Sequence, residues 1–235
     1  MKLYSHVVKH DTGLAPNPFH GFCTSAVCTP SHAKARLKVG DWLIGNSQKK
    51  DGHRLVYAMQ LCDVLSMNEY FQDSRFQNKK PKLDGAPEEQ CGDNFYYQDK
   101  DAKWKRLPSR FHNDHASFVA DVGKDFAGRP VFAAEHFYYF GRRRVLIPKE
   151  LAGVIWAGRN VCGKSEFANA FVAWLQGNFK PGILAAPRDI ADHAGETGVM
   201  ITGPFANGIA QIKNQESESL TRSVTHTTTR SRGCG

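Results

Sequence analysis

Long apolar runs are missing from this 235-residue chain: no stretch approaches the ~20 consecutive apolar residues that a membrane-spanning helix needs. The opening MKLYSHVVKHD also lacks the charged, apolar and small-residue succession of a signal peptide, so a cytoplasmic location is expected. Cysteine is scarce. Six residues (Cys23, Cys28, Cys62, Cys91, Cys162, Cys234) are spread too thinly for a secreted disulfide framework, and reduced thiols follow. There is no internal repeat and no heptad pattern, which excludes solenoids and coiled coils. Acidic residues are the minority, 23 against 31 Lys and Arg, and the net charge of +8 favours polyanionic partners such as nucleic acid or nucleotides.

What is present suffices for a core, with 41% hydrophobic residues. The basic residues cluster at Lys79, Lys80 and Lys82, at Lys103, Lys105 and Arg106, and at Arg142, Arg143 and Arg144. Alternation predicts a strand over 3–9 and a strand pair over 41–45 and 53–64, joined by a polar turn. Ser66 with Glu69 three positions later reads as a capping box that opens a short helix, followed by a Lys, Pro, Asp and Gly-rich loop over 72–92. Further extended segments are expected at 95–98, 117–122 and 131–140. Short strands with little helix between them point to a small barrel over about 1–147. After Pro148 the spacing turns helical: Leu151, Val154 and Ile155 share one face, and Phe167, Ala170, Phe171 and Trp174 share a face of a second helix before Gly177. These expectations make an α+β domain over 1–190 with a helical extension over 148–190. A partly ordered stretch over 191–212 and a Ser/Thr-rich disordered tail over 213–235 complete the chain.

Three chemical motifs can be drawn. GRNVCGKS at 158–165 fits the phosphate-loop pattern, with Lys164 and Ser165 in the phosphate and magnesium roles. The segment before it reads as helix rather than the required strand, and no acidic metal-binding strand follows. A zinc site from Cys23, Cys28, His112 and His115 would join pairs more than eighty residues apart, without paired knuckles, so no metal is expected. Cys23 with His10 or His20 could make a thiolate nucleophile, though proximity in sequence does not set that geometry.

The run HDTGLAPNPFHGFCTSAVC at 10–28 is rich in Pro and Gly as well as in polar groups, the composition of a shaped loop beside a sheet. A nucleotide pocket needs flat apolar faces and fixed polar groups to read a base edge. Trp42 and Trp104 are candidate faces, Asn17, Asp93 and Asn94 candidate edge readers, and Tyr138 and Tyr139 lie just before the Arg142 cluster.

The ordered motifs KHDTGLAPNPFHGFCTSAVC, KVGDWLIG, HRLVYAMQ, CGDNFYY and HFYYFG resemble those of the nucleotide modification associated domain 2 family across about residues 4–176. That resemblance implies a setting in bacterial and phage DNA base-modification systems, and directs attention to His10, Asp11, Asn17, Phe19, Trp42, Asp93, Asn94, Tyr138 and Tyr139. The 41–64 strand pair is also similar to the central hairpin of PUA-like barrels, some of which read modified bases. The expectation is therefore a PUA-like small β-barrel core with packed helices that recognises a nucleobase, modified or not, with Arg142 at a phosphate and with no cofactor. The alternatives are an enzyme using Asp11, His20 or Asp93 as acid or base, and an NTPase. The oligomeric state is left open.

Overall fold

The computed structural model describes residues 1–28, 35–111, 118, 129–155 and 165–190, all within one unit, Met1–Val199. The predicted N-terminal strand is β1 (Leu3–Val7), followed by a short β2 (Cys23–Ser25). The predicted pair is β3 (Trp42–Asn46) and β4 (Leu55–Gln60), and β5 (Asp63–Leu65) continues the second arm. The capping box at Ser66 and Glu69 closes in both directions, Ser66 N to Glu69 Oε2 at 2.7 Å and Glu69 N to Ser66 Oγ at 3.2 Å, and starts α1 (Met67–Gln72). The loop expected over 72–92 contains a 3₁₀ segment, Ser74–Lys79, and a single turn, α2 (Pro87–Gln90). Then come the hairpin β6 (Tyr96–Gln98) and β7 (Trp104–Arg106), and the strands β8 (Val131–Ala134) and β9 (His136–Tyr139). The helix α3 (Ser165–Asn178) and the short β10 (Gly182–Ile183) follow.

The α+β class holds, but the described strands form three sheets and no closed barrel. The largest runs β1-β3-β4-β9-β10, with parallel outer pairs and antiparallel inner ones. The second is antiparallel, β2-β8-β5, and the third is the β6-β7 hairpin. The reason is a bend. Only Leu61 and Cys62 separate β4 from β5, and only Glu135 separates β8 from β9, yet β4 pairs with β9 and β5 with β8. Gln60 faces His136 and Asp63 faces Ala133, so one register runs through the corner and a single ribbon hands its halves to two sheets.

Every residue of β3 is buried because both faces of the large sheet are covered. Trp42 and Ile44 face a cluster with Ala168, Phe171 and Leu175 of α3, while Leu43 faces one shared with Cys23 and Phe132 of the second sheet. In α3 the buried stripe is Ala168, Phe171 and Leu175, with Phe167 and Trp174 half-buried and Ala170 exposed. The helix expected after Pro148 is a 3₁₀ segment, Lys149–Val154, in which the three-residue repeat stacks Leu151 over Val154 on the core. Gly153 lets that segment approach α3, since a Cβ there would stand 3.3 Å from the Phe167 ring. Among the described residues no helix is long and apolar enough to cross a membrane. The GRNVCGKS match up to Lys164, the predicted strand at 117–122 apart from Phe118, His112 and His115, and the stretches 191–212 and 213–235 lie outside the described residues.

Candidate functional site

Between β1 and β2 the chain makes its shaped loop, and two buried networks fix it from below. At its far end Asn17 and Thr24 exchange backbone hydrogen bonds, both at 2.8 Å, so residues 18–23 form a closed excursion. Its inner side is lined with carbonyl oxygens, and the group that reaches them is Lys79, only 1% exposed. The Lys79 ammonium donates to Asn17 O at 2.9 Å, Asn17 Oδ1 at 2.7 Å and Phe22 O at 2.7 Å, which uses all three of its donors. Burial pulls that amine down to about 8, against the pull of Asp93.

Asp93 is the counter-charge. It is fully buried and accepts from the Tyr70 hydroxyl and from Thr24 Oγ1, both at 2.7 Å. Burial pushes its carboxyl up, while Lys79 and those two hydroxyls pull it back. Asn17 Nδ2 donates to Cys91 O at 2.8 Å, and Asn94 Nδ2 donates to Tyr70 O at 3.1 Å and Phe76 O at 3.0 Å. Gly92 completes the packing: a Cβ there would collide with the Lys79 carbonyl, so the CGDN backbone lies directly on residues 79–81.

The second network holds the loop's entrance. Asp11 is 2% exposed, its Oδ1 accepts from the Tyr139 hydroxyl and its Oδ2 from Arg188 N at 3.1 Å. Asp11 N donates to Asp189 Oδ2 at 2.7 Å and Asp189 N returns a bond to Asp11 O at 2.8 Å. Arg188 pairs with Asp189 and reaches Asp51 at 3.6 Å, which Arg144 also meets at 3.4 Å. Burial raises the Asp11 carboxyl and Asp189 adds to this, against the hydrogen bonds from Tyr139 and Arg188 N. Residues 184–190 thus act as a strap across the loop.

The structure brings Asp11, Asn17, Asp93, Asn94 and Tyr139 to the underside of this loop. It also corrects the roles expected of several of them. Asn17, Asp93 and Asn94 are 0% exposed, and their side-chain hydrogen bonds run to buried groups of the protein itself, including Cys91 O, Thr24, Tyr70 and Phe76 O, so none presents an edge to solvent. On this loop His10 and His20 are exposed, and Phe19 is half-buried, its ring against Gly13 and edge-on to His20 at 6.4 Å. Trp42 is 0% exposed on the α3 side of the large sheet, stacked at 6.4 Å on Tyr138 and edge-on to His136 at 5.6 Å, so it offers no free face beside the loop. Trp104 is half-buried and packs on the cluster that contains Leu14, Tyr70 and Phe76. Arg142 is exposed, and its N–H bonds Ala186 O of the strap at 2.9 Å.

Cys23 is fully buried and its thiol is pushed up to about 12, which rules against a thiolate pair with His10 or His20. Lys79, counted by sequence among surface basic residues, is the structural centre of the loop; of its cluster Lys80 is half-buried and Lys82 exposed. Sequence reasoning missed Lys79, Tyr70, Thr24, Arg188 and Asp189. Only Tyr70 left a signal, its spacing from Met67 on the buried face of α1.

A family model, nucleotide modification associated domain 2, matches residues 1–194. No curated protein and no solved structure matches the chain.

Proposed function

Because this chain belongs to the nucleotide modification associated domain 2 family, we propose that it recognises a nucleobase, in DNA or in a nucleotide, through the outer rim of the 10–28 loop. One observation carries the reading: His10 and His20 are exposed and Phe19 is half-buried on a loop whose underside is fixed by the buried Lys79 and Asp93. A preorganised rim loses little entropy when it binds. Phe19 supplies a stacking face, the histidines supply hydrogen bonds, and Arg142 beside the strap meets a phosphate. Asn17, Asp93 and Asn94 support this rim from inside. The likeness of the β3-β4 pair to the hairpin of PUA-like barrels agrees with the reading as an analogy of fold.

Titration of labelled oligonucleotides tests it. Association is expected to be saturable and to weaken with salt, Phe19→Ala to lower affinity about tenfold or more, and Arg142→Ala to reduce the salt slope by about one. Unchanged affinity in both variants would sink the assignment.

An enzymatic reading has its own observation. Asp11 is a carboxyl held above its ordinary range by burial and bonded to Tyr139, the setting of a general acid. It predicts a change in the mass of a nucleotide incubated with the protein, abolished in Asp11→Asn, whereas recognition alone returns the ligand intact.

A further inference from the structure

The cations of this protein are not spread evenly. Three segments distant in sequence, 47–55, 141–147 and 184–190, carry seven Lys and Arg against two Asp, which is five of the chain's net +8. One carboxylate gathers them. Asp51 Oδ2, in the turn between β3 and β4, meets Arg144 Nη1 at 3.4 Å and Arg188 Nη1 at 3.6 Å. Backbone bonds tie the same segments together: Leu55 and Val145 exchange hydrogen bonds at 2.8 and 3.2 Å, and Arg142 N donates to Ala186 O at 2.9 Å.

The turn itself is closed by buried Ser47, whose N donates to Arg54 O at 2.7 Å and whose Oγ accepts from Arg54 N at 2.9 Å. Arg54 lies back along it, with Nε 3.9 Å from where a Cβ on Gly52 would stand. Lys49, Lys50, Arg54 and Arg142 are exposed and make no ion pair among the described residues. Like charges gathered on one face repel one another, and a single shared carboxylate does not neutralise them, so the arrangement favours a polyanion. The face also runs on to the 10–28 loop. Arg188 Nη2 donates to Lys9 O at 3.4 Å, next to exposed His10.

We propose that this face binds the phosphodiester backbone of a nucleic acid, with Lys49, Lys50, Arg54, Arg142, Arg144 and Arg188 meeting successive phosphates. A lone phosphate leaves most of these cations unmet, whereas a duplex presents one charge per about 1.7 Å of its axis. A membrane surface fits less well, because interfacial binding needs an apolar face as well as charge. Of the exposed large apolar side chains among the described residues, Leu146 alone belongs to these segments. That the polyanion is a nucleic acid, one of whose bases reaches the loop rim, rests on the function proposed above; the charge of the face does not.

The test titrates the full chain with a labelled DNA duplex and, separately, with a nucleoside monophosphate at several salt concentrations. One variant is the triple Lys49→Gln, Lys50→Gln, Arg54→Gln; its control, Lys100→Gln, Lys103→Gln, Lys105→Gln, removes equal charge from exposed positions of the β6-β7 hairpin. The face triple is expected to bind the duplex at least tenfold more weakly at low salt and to reduce the slope of log affinity against log salt by about two to three. Its monophosphate affinity should equal that of the wild type, and the control should keep the wild-type slope. Lys49→Gln alone, with a slope reduced by about one, repeats the test without disturbing Arg54. An unchanged slope in the face triple, an equal fall in the control, or an equal loss of monophosphate binding would overturn the proposal. So would anionic lipid vesicles held through these cations by a protein that binds no duplex. An RNA duplex separates the two sources of phosphodiester: equal binding means that backbone charge alone is read, and weaker binding that DNA geometry is. Phe19→Ala reports on the base contact by itself, since it should weaken the monophosphate at an unchanged salt slope. If it alters neither ligand while the face triple still loses slope, the backbone face stands and the base assignment falls.

Discussion

A lysine ammonium has three donors to satisfy, and in water they are satisfied for free. Lys79 gives up that water for Asn17 O, Asn17 Oδ1 and Phe22 O, with Asp93 as its counter-charge. Lys79→Met removes the donor, strands those oxygens and leaves the buried Asp93 unopposed, so it should destabilise by about 3–5 kcal/mol in urea unfolding. Asp93→Asn in the same chain should make the combined loss smaller than the sum of the two single losses, the signature of coupled charges. A double variant as unstable as that sum would mean that the two residues act independently. The composition of the loop was legible in sequence, and so was the presence of His10, Asp11 and Asn17 in it. The lysine that holds it was not, because Lys79 sits 62 positions from Asn17 and its neighbours Lys80 and Lys82 look the same on paper.

At the scale of elements, local rules worked where one element satisfies itself. The capping box at Ser66 and the stripe through Phe171 need no partner to be recognised. They failed where a neighbour decides. The arms read as continuous over 53–64 and 131–140 are each broken at a corner that exists because two sheets share one ribbon. Gly141 is another such place: its φ is +51°, and a Cβ would collide with the Ala186 carbonyl, which also accepts from Arg142 N. Gly141→Ala should therefore push the 184–190 strap off the end of β9 and cost about 1–3 kcal/mol, read as a lower unfolding midpoint and faster hydrogen exchange at Arg142 N. Unchanged exchange there would refute the close contact.

For the whole molecule, the strap makes a long-range claim. Asp189 and Asp11 exchange bonds across 178 positions, and Leu184 belongs to the same core as Trp42 and α3. A chain ending at 199 should keep the stability and ligand affinity of the full protein, whereas one ending at 183 should lose several kcal/mol by uncovering Asp11 and removing the buried Leu184 and Ile190. Equal unfolding midpoints for the two truncations would show that the strap contributes nothing. The sequence by itself determined the α+β class, the main strand pair, the first helix cap, the family and the loop that carries the candidate site. These follow from spacing and from nearest-neighbour chemistry, which a linear chain displays. Only the tertiary structure decided that the described strands stay in open sheets, that Trp42 is core, and that Asn17, Asp93 and Lys79 are buried while His10 and His20 are exposed. Burial is a property of what lies across space, and a polar residue has the same letter whether its partner is water or a carbonyl sixty residues away.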